Sequence, residues 1–270
     1  MKAKVVSVSR ARDRRAKFEV EARRCGVEFE FYDAVDAKSM PYDELNALVD
    51  GVALRRNIGR QLCGPEIACA ESHRRLYREL VNGAFPGLLI FEDDISFLDS
   101  IATVVAFLAE NAASFASQSW IFHLGGLDGF EERALVLGQR VVHRVGEEVE
   151  FRRVLVSENA VQRTCGYYIT REAAASILRK EPRICQVPDP WMWRKKMSIL
   201  AEVWMSTPPV VRHPVDLSGS MLEAERAQLE SSPLKVDIRP YWRRCLSHAR
   251  AEARRWTRSR VIYPLIGRFG

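Results

Sequence analysis

Apolar residues change their spacing several times along the chain, and each change marks an element. Residues 4–8, KVVSV, are a short β-branched run and predict a first strand. The stretch RARDRRAKFEVEARRCG that follows predicts an Arg-rich turn and a helix stopped by Gly26. VEFEFYDAV alternates with period two and predicts a second strand. Residues 41–56 read as one helix beginning near Pro41. GPEIACAESHRRLYRELV is a stronger helix with Pro65 at its start. In it Glu66, Cys69, His73, Leu76 and Leu80 are spaced 3-4-3-4 and share one face.

The run GLLIFEDDISF, residues 87–97, predicts a buried strand at Leu88–Phe91 that ends in Glu92, Asp93 and Asp94. SFLDSIATVVAFLAENAASF then predicts a helix, and SWIFHLGG a strand closed by glycines. Residues 139–157 read as a hairpin or an irregular insert, and GYYITREAAASILRK as a strand running into a helix. PDPWMWRKK and TPPVVRHPVDLSGS read as Pro-punctuated loops. Strands alternating with helices predict a layered α/β fold on a mixed, mostly parallel sheet. No internal repeat or low-complexity segment interrupts it.

At 270 residues, 47% hydrophobic, the chain suits one large α/β domain, or one domain with an appendage. No apolar run reaches the roughly 18 residues needed to cross a bilayer. The opening MKAKVVSVSR has too short an apolar segment for a secretory signal, so the expected compartment is the cytoplasm. Cysteines 25, 63, 69, 165, 185 and 245 form no CxxC pair and read as reduced thiols. The net charge of +6 is local: residues 239–270 hold nine arginines and one acid, leaving residues 1–238 slightly negative. We expect a domain over 1–238 and a basic amphipathic segment over 239–270. Trp242, Leu246, Trp256, Ile262 and Tyr263 interleave with its arginines. That composition suits a helix on an anionic membrane, here the inner face of the cytoplasmic membrane. A helix packed on the domain with a solvated Arg face is the other reading. Nucleic-acid binding is not expected, because the main body is slightly acidic and carries no aromatic platform pattern.

The acid triplet poses the chemical question. In open α/β sheets, ligands bind beyond the carboxyl ends of the strands. In extended chain Glu92 and Asp94 point to one side and Asp93 to the other. Helix capping by Asp94, Ser96 or Asp99 would be favoured by about 0.3–1 kcal/mol and needs one acid. Three adjacent acids repel, and a divalent cation such as Mg²⁺ or Mn²⁺ answers the repulsion better. Phosphatases and nucleotidyltransferases also end a strand in acids, so the triplet alone names no reaction.

Three further segments carry a resemblance. GPEIACAESHRRLY is similar to the GEIGCALSH segment of glycosyltransferase family 25, whose members build bacterial lipooligosaccharide. LLIFEDDISF resembles that family's LEDD strand, and TCGYYITREAAASIL its GxxxYxISxxGAxxLL segment. VVSVSRARDRRAKF and FYDAVDAKSM resemble its start, and order and spacing agree over roughly residues 3–220. Pro65, Ala68, Glu71 and Ala37 depart from the family pattern, and QVPDPWM matches its PVD segment loosely.

The resemblance implies a GT-A-like fold, a Rossmann-type sheet binding a UDP-sugar, with the EDD triplet in place of a DxD motif. Asp94 would coordinate the metal, and Glu92 and Asp93 would contact the ribose or complete the metal shell. An inverting transfer needs a base for the acceptor hydroxyl, worth about 10²–10⁴-fold. Asp189, stiffened between Pro188 and Pro190 and next to Trp191 and Trp193, is the first choice, and Glu66 the rival. Asp189 in an ordinary Pro-Asp-Pro turn is the alternative. His73 reads either as a buried His bonded to a core carbonyl or as a neighbour of the nucleotide. Gly166, in the third segment, is assigned to nucleotide-sugar binding. Of the arginines after the first strand, Arg10 is closest to the strand end and suits phosphate. His213 is a metal ligand by analogy with the late His or acid of GT-A enzymes. HLGGLDG, 123–129, offers glycines for close backbone approach and Asp128.

The expected activity is metal-dependent transfer of a hexose, galactose from a UDP-sugar, to a lipooligosaccharide or related glycan. The competing class is a non-catalytic, degenerate transferase tethered to a membrane or partner by its basic segment.

Overall fold

In the computed structural model β1, Ala3–Ser7, is buried along most of its length, because the chain lays a strand on each side of it. Residues 1–129, 135–138, 143–156 and 161–215 are described. α1, Arg12–Arg24, is mostly polar and buries Phe18 and Ala22, one turn apart on one face. Gly26, at φ 66°, ends it as expected. β2, Phe29–Asp33, pairs parallel to β1.

The single helix expected over 41–56 is two: α2, Tyr42–Ala47, and α3, Gly51–Ile58. Asp50 causes the break. Its side chain accepts from the Val52 and Ala53 amides at 3.1 and 2.9 Å, and its own N–H donates to Ile184 O at 2.8 Å. A capping side chain here outcompetes continuation of the first helix. α4, Gly64–Asn82, is the long helix the spacing predicts.

β3, Gly87–Glu92, carries the acid triplet's first member. β4 is Ser96–Phe97, α5 Ile101–Phe115 and β5 Trp120–His123. β6, Val136–Leu137, precedes the hairpin of β7, His143–Val145, and β8, Val149–Val156. β9, Gly166–Thr170, runs into α6, Arg171–Lys180. The Pro-rich loop at 188–196 holds a short helix, α7, Trp191–Lys196, where only loop was expected. β10, Glu202–Thr207, was not marked by alternation because Val203, Trp204 and Met205 are all buried. β11 is Val211–Arg212.

The main sheet has the order β2-β1-β3-β9-β5-β10-β8-β6, with β7 on β8. Only β9 and β8 run against the other strands. The mixed, mostly parallel sheet flanked by helices is therefore present. Strand side chains alternate between its faces. Val5, Phe91 and Phe122 meet Phe18 of α1 and Val104 and Leu108 of α5 on one side. Ile90, Ile121 and Tyr167 meet Leu76 and Tyr77 of α4, Ile177 of α6 and Trp191 of α7 on the other. Each large apolar side chain so buried contributes about 1.5–3 kcal/mol.

β11 and β4 form a separate two-stranded ribbon, with Val211 opposite Phe97 and Arg212 opposite Ser96. That pairing brings the chain beyond β11 back to the residues just after the acid triplet. Among the described residues no helix is long and apolar enough to cross a membrane. The basic segment 239–270 lies outside the described residues.

Candidate active site

β1 and β3 are parallel neighbours, so Ser7 and Glu92 end at the same edge of the sheet. A cavity of about 320 Å³ opens there. The chain after β1 (Val8, Arg10), the first turns of α1 (Arg14) and the loop after β2 (Val35, Asp36, Lys38) form its walls. Cys69 and Ser72 of α4, the acid triplet and His213 complete them. Ser72 fixes one wall: its hydroxyl donates to Ala68 O at 2.7 Å and accepts from the Val35 amide at 2.9 Å.

The triplet's charges are poorly balanced. Asp93 accepts from the Ser7 hydroxyl at 2.6 Å. One guanidinium nitrogen of Arg14 reaches both Asp93, at 2.7 Å, and Asp94, at 2.6 Å. Glu92 accepts from the Thr164 hydroxyl. Burial first, and then the charge of Asp94, pushes the Glu92 carboxyl up to about 8. Burial also raises Asp93. Asp94 Oδ1 is buried and has no hydrogen-bond partner among the described residues. His213 Nε2 lies 3.6 Å from it.

Glu92, Asp94 and His213 thus bring three ligand atoms within 4.8 Å of one another. These are the three residues expected to bind metal. Two carboxylates and an imidazole around an orphaned oxygen fit a Mn²⁺-like ion. The position of His213 follows from backbone packing. Gly126 N donates to Val211 O at 2.6 Å, and a Cβ on Gly126 would sit 2.2 Å from Cys165 Sγ. A Cβ on Gly125 would sit 2.4 Å from Val211 O, so this glycine admits β11, and Asp128 accepts from the His213 amide at 3.0 Å.

Arg10 lines the cavity at its rim and donates to Asp36 through Nε at 2.5 Å, while Arg14 is the arginine that meets the acids. The sequence ranks these arginines only by distance from the strand. Position on the helix decides instead, because Arg14 lies in the first turn of α1 and reaches Asp93 and Asp94 after β3. His73 is 1% exposed, its Nδ1 is 2.7 Å from the Tyr167 hydroxyl, and its Nε2 is 4.0 Å from Glu92 Oε1. It bonds a phenol rather than a core carbonyl. Burial holds its pKa down near 3, so the ring is neutral.

Four expected site residues do not line this cavity: His73, Glu66, Gly166 and Asp189. Glu66 is 1% exposed and is engaged by Arg60, at 2.6 and 2.7 Å, and by the Cys63 amide, at 3.1 Å. Those bonds cap α4 and bind the preceding loop. Gly166 is buried in β9 opposite Phe91, and a Cβ there would meet Val211 Cγ2 at 3.0 Å. Its smallness serves strand packing beneath the acids.

Asp189 lines a second cavity, of about 300 Å³, with Asn57, Gln162, Gln186, Trp193 and Lys196. The segment 162–164 joins the two cavities: Gln162 lines the second, the Arg163 amide donates to Asp189 Oδ2 at 2.6 Å, and Thr164 holds Glu92. Arg163 has φ 70°, a conformation that surrounding bonds must hold. Its guanidinium donates to Gly126 O at 2.8 Å, and Trp191 Nε1 donates to its carbonyl at 2.9 Å. Neither Arg14, Thr164 nor Arg163 carries a local sequence signal, since each matters through a distant partner.

The mixed α/β sheet has its acid-lined cavity beyond β1 and β3, where open α/β sheets bind their ligands. Residues 1–188 match glycosyltransferase family 25 (LPS biosynthesis protein), and the chain belongs to that family. Over 224 residues it is 27% identical to the lacto-N-neotetraose biosynthesis glycosyltransferase LgtB of Neisseria meningitidis serogroup B, covering 80% of this chain and 66% of LgtB. Over 200 residues it is 28% identical to LgtE of the same organism, covering 71% of this chain and 64% of LgtE. The chain thus spans about two thirds of the length of these relatives. A solved structure of the galactosyltransferase LgtC, in complex with donor and acceptor sugar analogues, matches 86% of this chain and 96% of its own at 9% identity, with a TM-score of 0.37.

Proposed function

We propose that this chain is a metal-dependent glycosyltransferase that moves a hexose, galactose from a UDP-sugar, onto a lipooligosaccharide or related glycan. The observation that carries the reading is the convergence of Glu92, Asp94 and His213 at the mouth of the cavity, with a buried oxygen unpartnered. The donor would occupy this cavity. Val6, Val8 and Ala34 offer an apolar wall for the base, and Asp36 an acceptor for a ribose hydroxyl. Arg10, at the rim, suits the diphosphate.

Glu92, Asp94 and His213 would hold Mn²⁺ or Mg²⁺, which supplies positive charge to a departing diphosphate. Asp93, fixed by Ser7 and Arg14, orients the triplet from behind. The acceptor glycan would enter the second cavity, where Trp193 offers an apolar face and Asn57, Gln162 and Gln186 offer hydrogen bonds. Asp189 takes the proton of the acceptor hydroxyl as that oxygen bonds to the anomeric carbon and the bond to the diphosphate breaks, with inversion. The Arg163 amide, bonded to one oxygen of Asp189, aims the carboxylate. Residues 239–270 would hold the protein at an anionic membrane on its cytoplasmic side.

The test is incubation with a panel of nucleotide sugars and a lactose- or N-acetylglucosamine-terminated acceptor, with and without Mn²⁺, read by mass spectrometry. A UDP-hexose should give an elongated acceptor only with metal. Tight UDP binding without transfer to any acceptor would favour the degenerate, non-catalytic class.

A further inference from the structure

α4 places Cys69 and His73 four residues apart on one face, where side chains lie about 5–6 Å apart at Cβ. Across from them stands Glu92 of β3. Cys69 Sγ, His73 Nε2 and a Glu92 oxygen all lie within 4.8 Å of one another. The His73 side chain is 2% exposed, and its Nε2 has no hydrogen-bond partner among the described residues. A buried nitrogen left without a partner costs about 1–3 kcal/mol, so something should meet it.

We propose that Cys69, His73 and Glu92 form a second cation site, selective for a thiophilic divalent ion such as Zn²⁺, whose occupancy withdraws Glu92 from Asp94 and His213. The donor set is the first reason. One sulfur, one imidazole and one carboxylate are the ligands of open tetrahedral zinc sites, with a fourth position left over. Mg²⁺ and Mn²⁺ favour the harder set on the other side of Glu92.

Orientation is the second reason. The His73 Nδ1 lies 2.7 Å from the Tyr167 hydroxyl, which lies 2.8 Å from the Tyr77 hydroxyl. When Nδ1 donates its proton to Tyr167 and Tyr167 donates to Tyr77, a bare Nε2 lone pair faces Glu92. Metal-binding imidazoles are held in this way by a partner on the far nitrogen. Access is the third reason, since Cys69 lines the open cavity. Binding releases the thiol proton to solvent, and the cation offsets the thiolate charge. Glu92 belongs to both ligand sets, so the two ions compete for it. A thiophilic metal then acts as an inhibitor. This site does not depend on which reaction the cavity supports.

The probe is Co²⁺ added to the reduced, metal-free full-length chain, followed by absorption. One equivalent should give an intense thiolate-to-cobalt charge-transfer band that Zn²⁺ displaces. Cys69→Ser and Cys69→Ala should each lose the band with an unchanged melting temperature, and Asp94→Asn should keep it. Mn²⁺ affinity, read by electron paramagnetic resonance, should fall at least tenfold after one equivalent of Zn²⁺, and this fall should vanish in Cys69→Ser. No charge-transfer band in the wild type, or a band that survives both Cys69 variants, overturns the site. Unchanged Mn²⁺ affinity in the presence of Zn²⁺ overturns the sharing of Glu92.

Discussion

Two of the buried charged groups in the described fold are satisfied very differently. Arg194 and Glu181 are 4% and 3% exposed and meet through two bonds, at 2.7 and 3.0 Å. A third Arg194 nitrogen donates to Pro188 O at 2.8 Å. One cation meets one anion, and the pair anchors α7 to the loop before Asp189. At the acid triplet, two of the three carboxylates, Asp93 and Asp94, share a single nitrogen of Arg14, and among the described residues Glu92 has only the Thr164 hydroxyl. There an Asp94 oxygen and the His73 Nε2 are orphaned, and Glu92 resists ionisation. A saturated cluster has no use for a ligand. An unsaturated one leaves charge that a cation would offset, and on the proposed reading the second is the site and the first is scaffold.

The largest way to break this contrast is at the saturated pair. Arg194→Met leaves Glu181 buried alone and is expected to cost about 3–5 kcal/mol in urea denaturation. Replacing both partners with apolar residues should recover most of that loss. If Arg194→Met were neutral, the pair would not be the anchor described.

Gly126 sharpens the comparison from the other side, because it shapes the unsaturated site through backbone alone. Gly126→Ala meets Cys165 Sγ and has φ 74°. A cost of about 1–3 kcal/mol is expected, with weakened Mn²⁺ binding as β11 and His213 shift. Wild-type Mn²⁺ affinity in this variant would separate His213 from the site.

Smaller effects test the orphaned groups. Burial holds His73 near 3, below the ordinary 6.5, so below pH 6.5 the unfolded chain takes up a proton that the folded chain refuses. Its share of stability should therefore fall as pH drops from about 6.5 toward 3, by at most about 1.4 kcal/mol per pH unit. The difference in urea stability between wild type and His73→Gln should shrink toward acid. A constant difference would mean that His73 takes up its proton in the fold as readily as in the unfolded chain. Smallest of all should be the stability change for Asp94→Asn, within about 1 kcal/mol, because removing one crowded charge offsets the lost bond to Arg14.

These residues differ in how visible they are from sequence. Four apolar residues followed by EDD announce both a strand and its ligand end, because strand burial and local charge are adjacent in the chain. The face carrying Cys69 and His73 is legible too, since a helix repeats every 3.6 residues. Expecting one helix over 41–56 missed Asp50 as a cap, although Asp is a favoured capping residue. β10 hid because a strand buried on both faces loses alternation. Arg14 on the triplet, Thr164 on Glu92 and Arg163 on Asp189 are pairings across 80, 72 and 26 residues, and no local pattern records them. Glu66 caps α4 and Gly166 packs under Phe91 and Val211, partners that no local pattern in the sequence names.

Calorimetric titration of UDP, with and without Mn²⁺, into the wild type and Asp94→Asn tests the central claim most directly. UDP should bind the wild type at least tenfold more tightly with Mn²⁺, and Asp94→Asn, equally stable, should lose that gain. Metal-independent UDP binding, or an undiminished gain in Asp94→Asn, would contradict the assignment of the triplet to a cation beside a diphosphate.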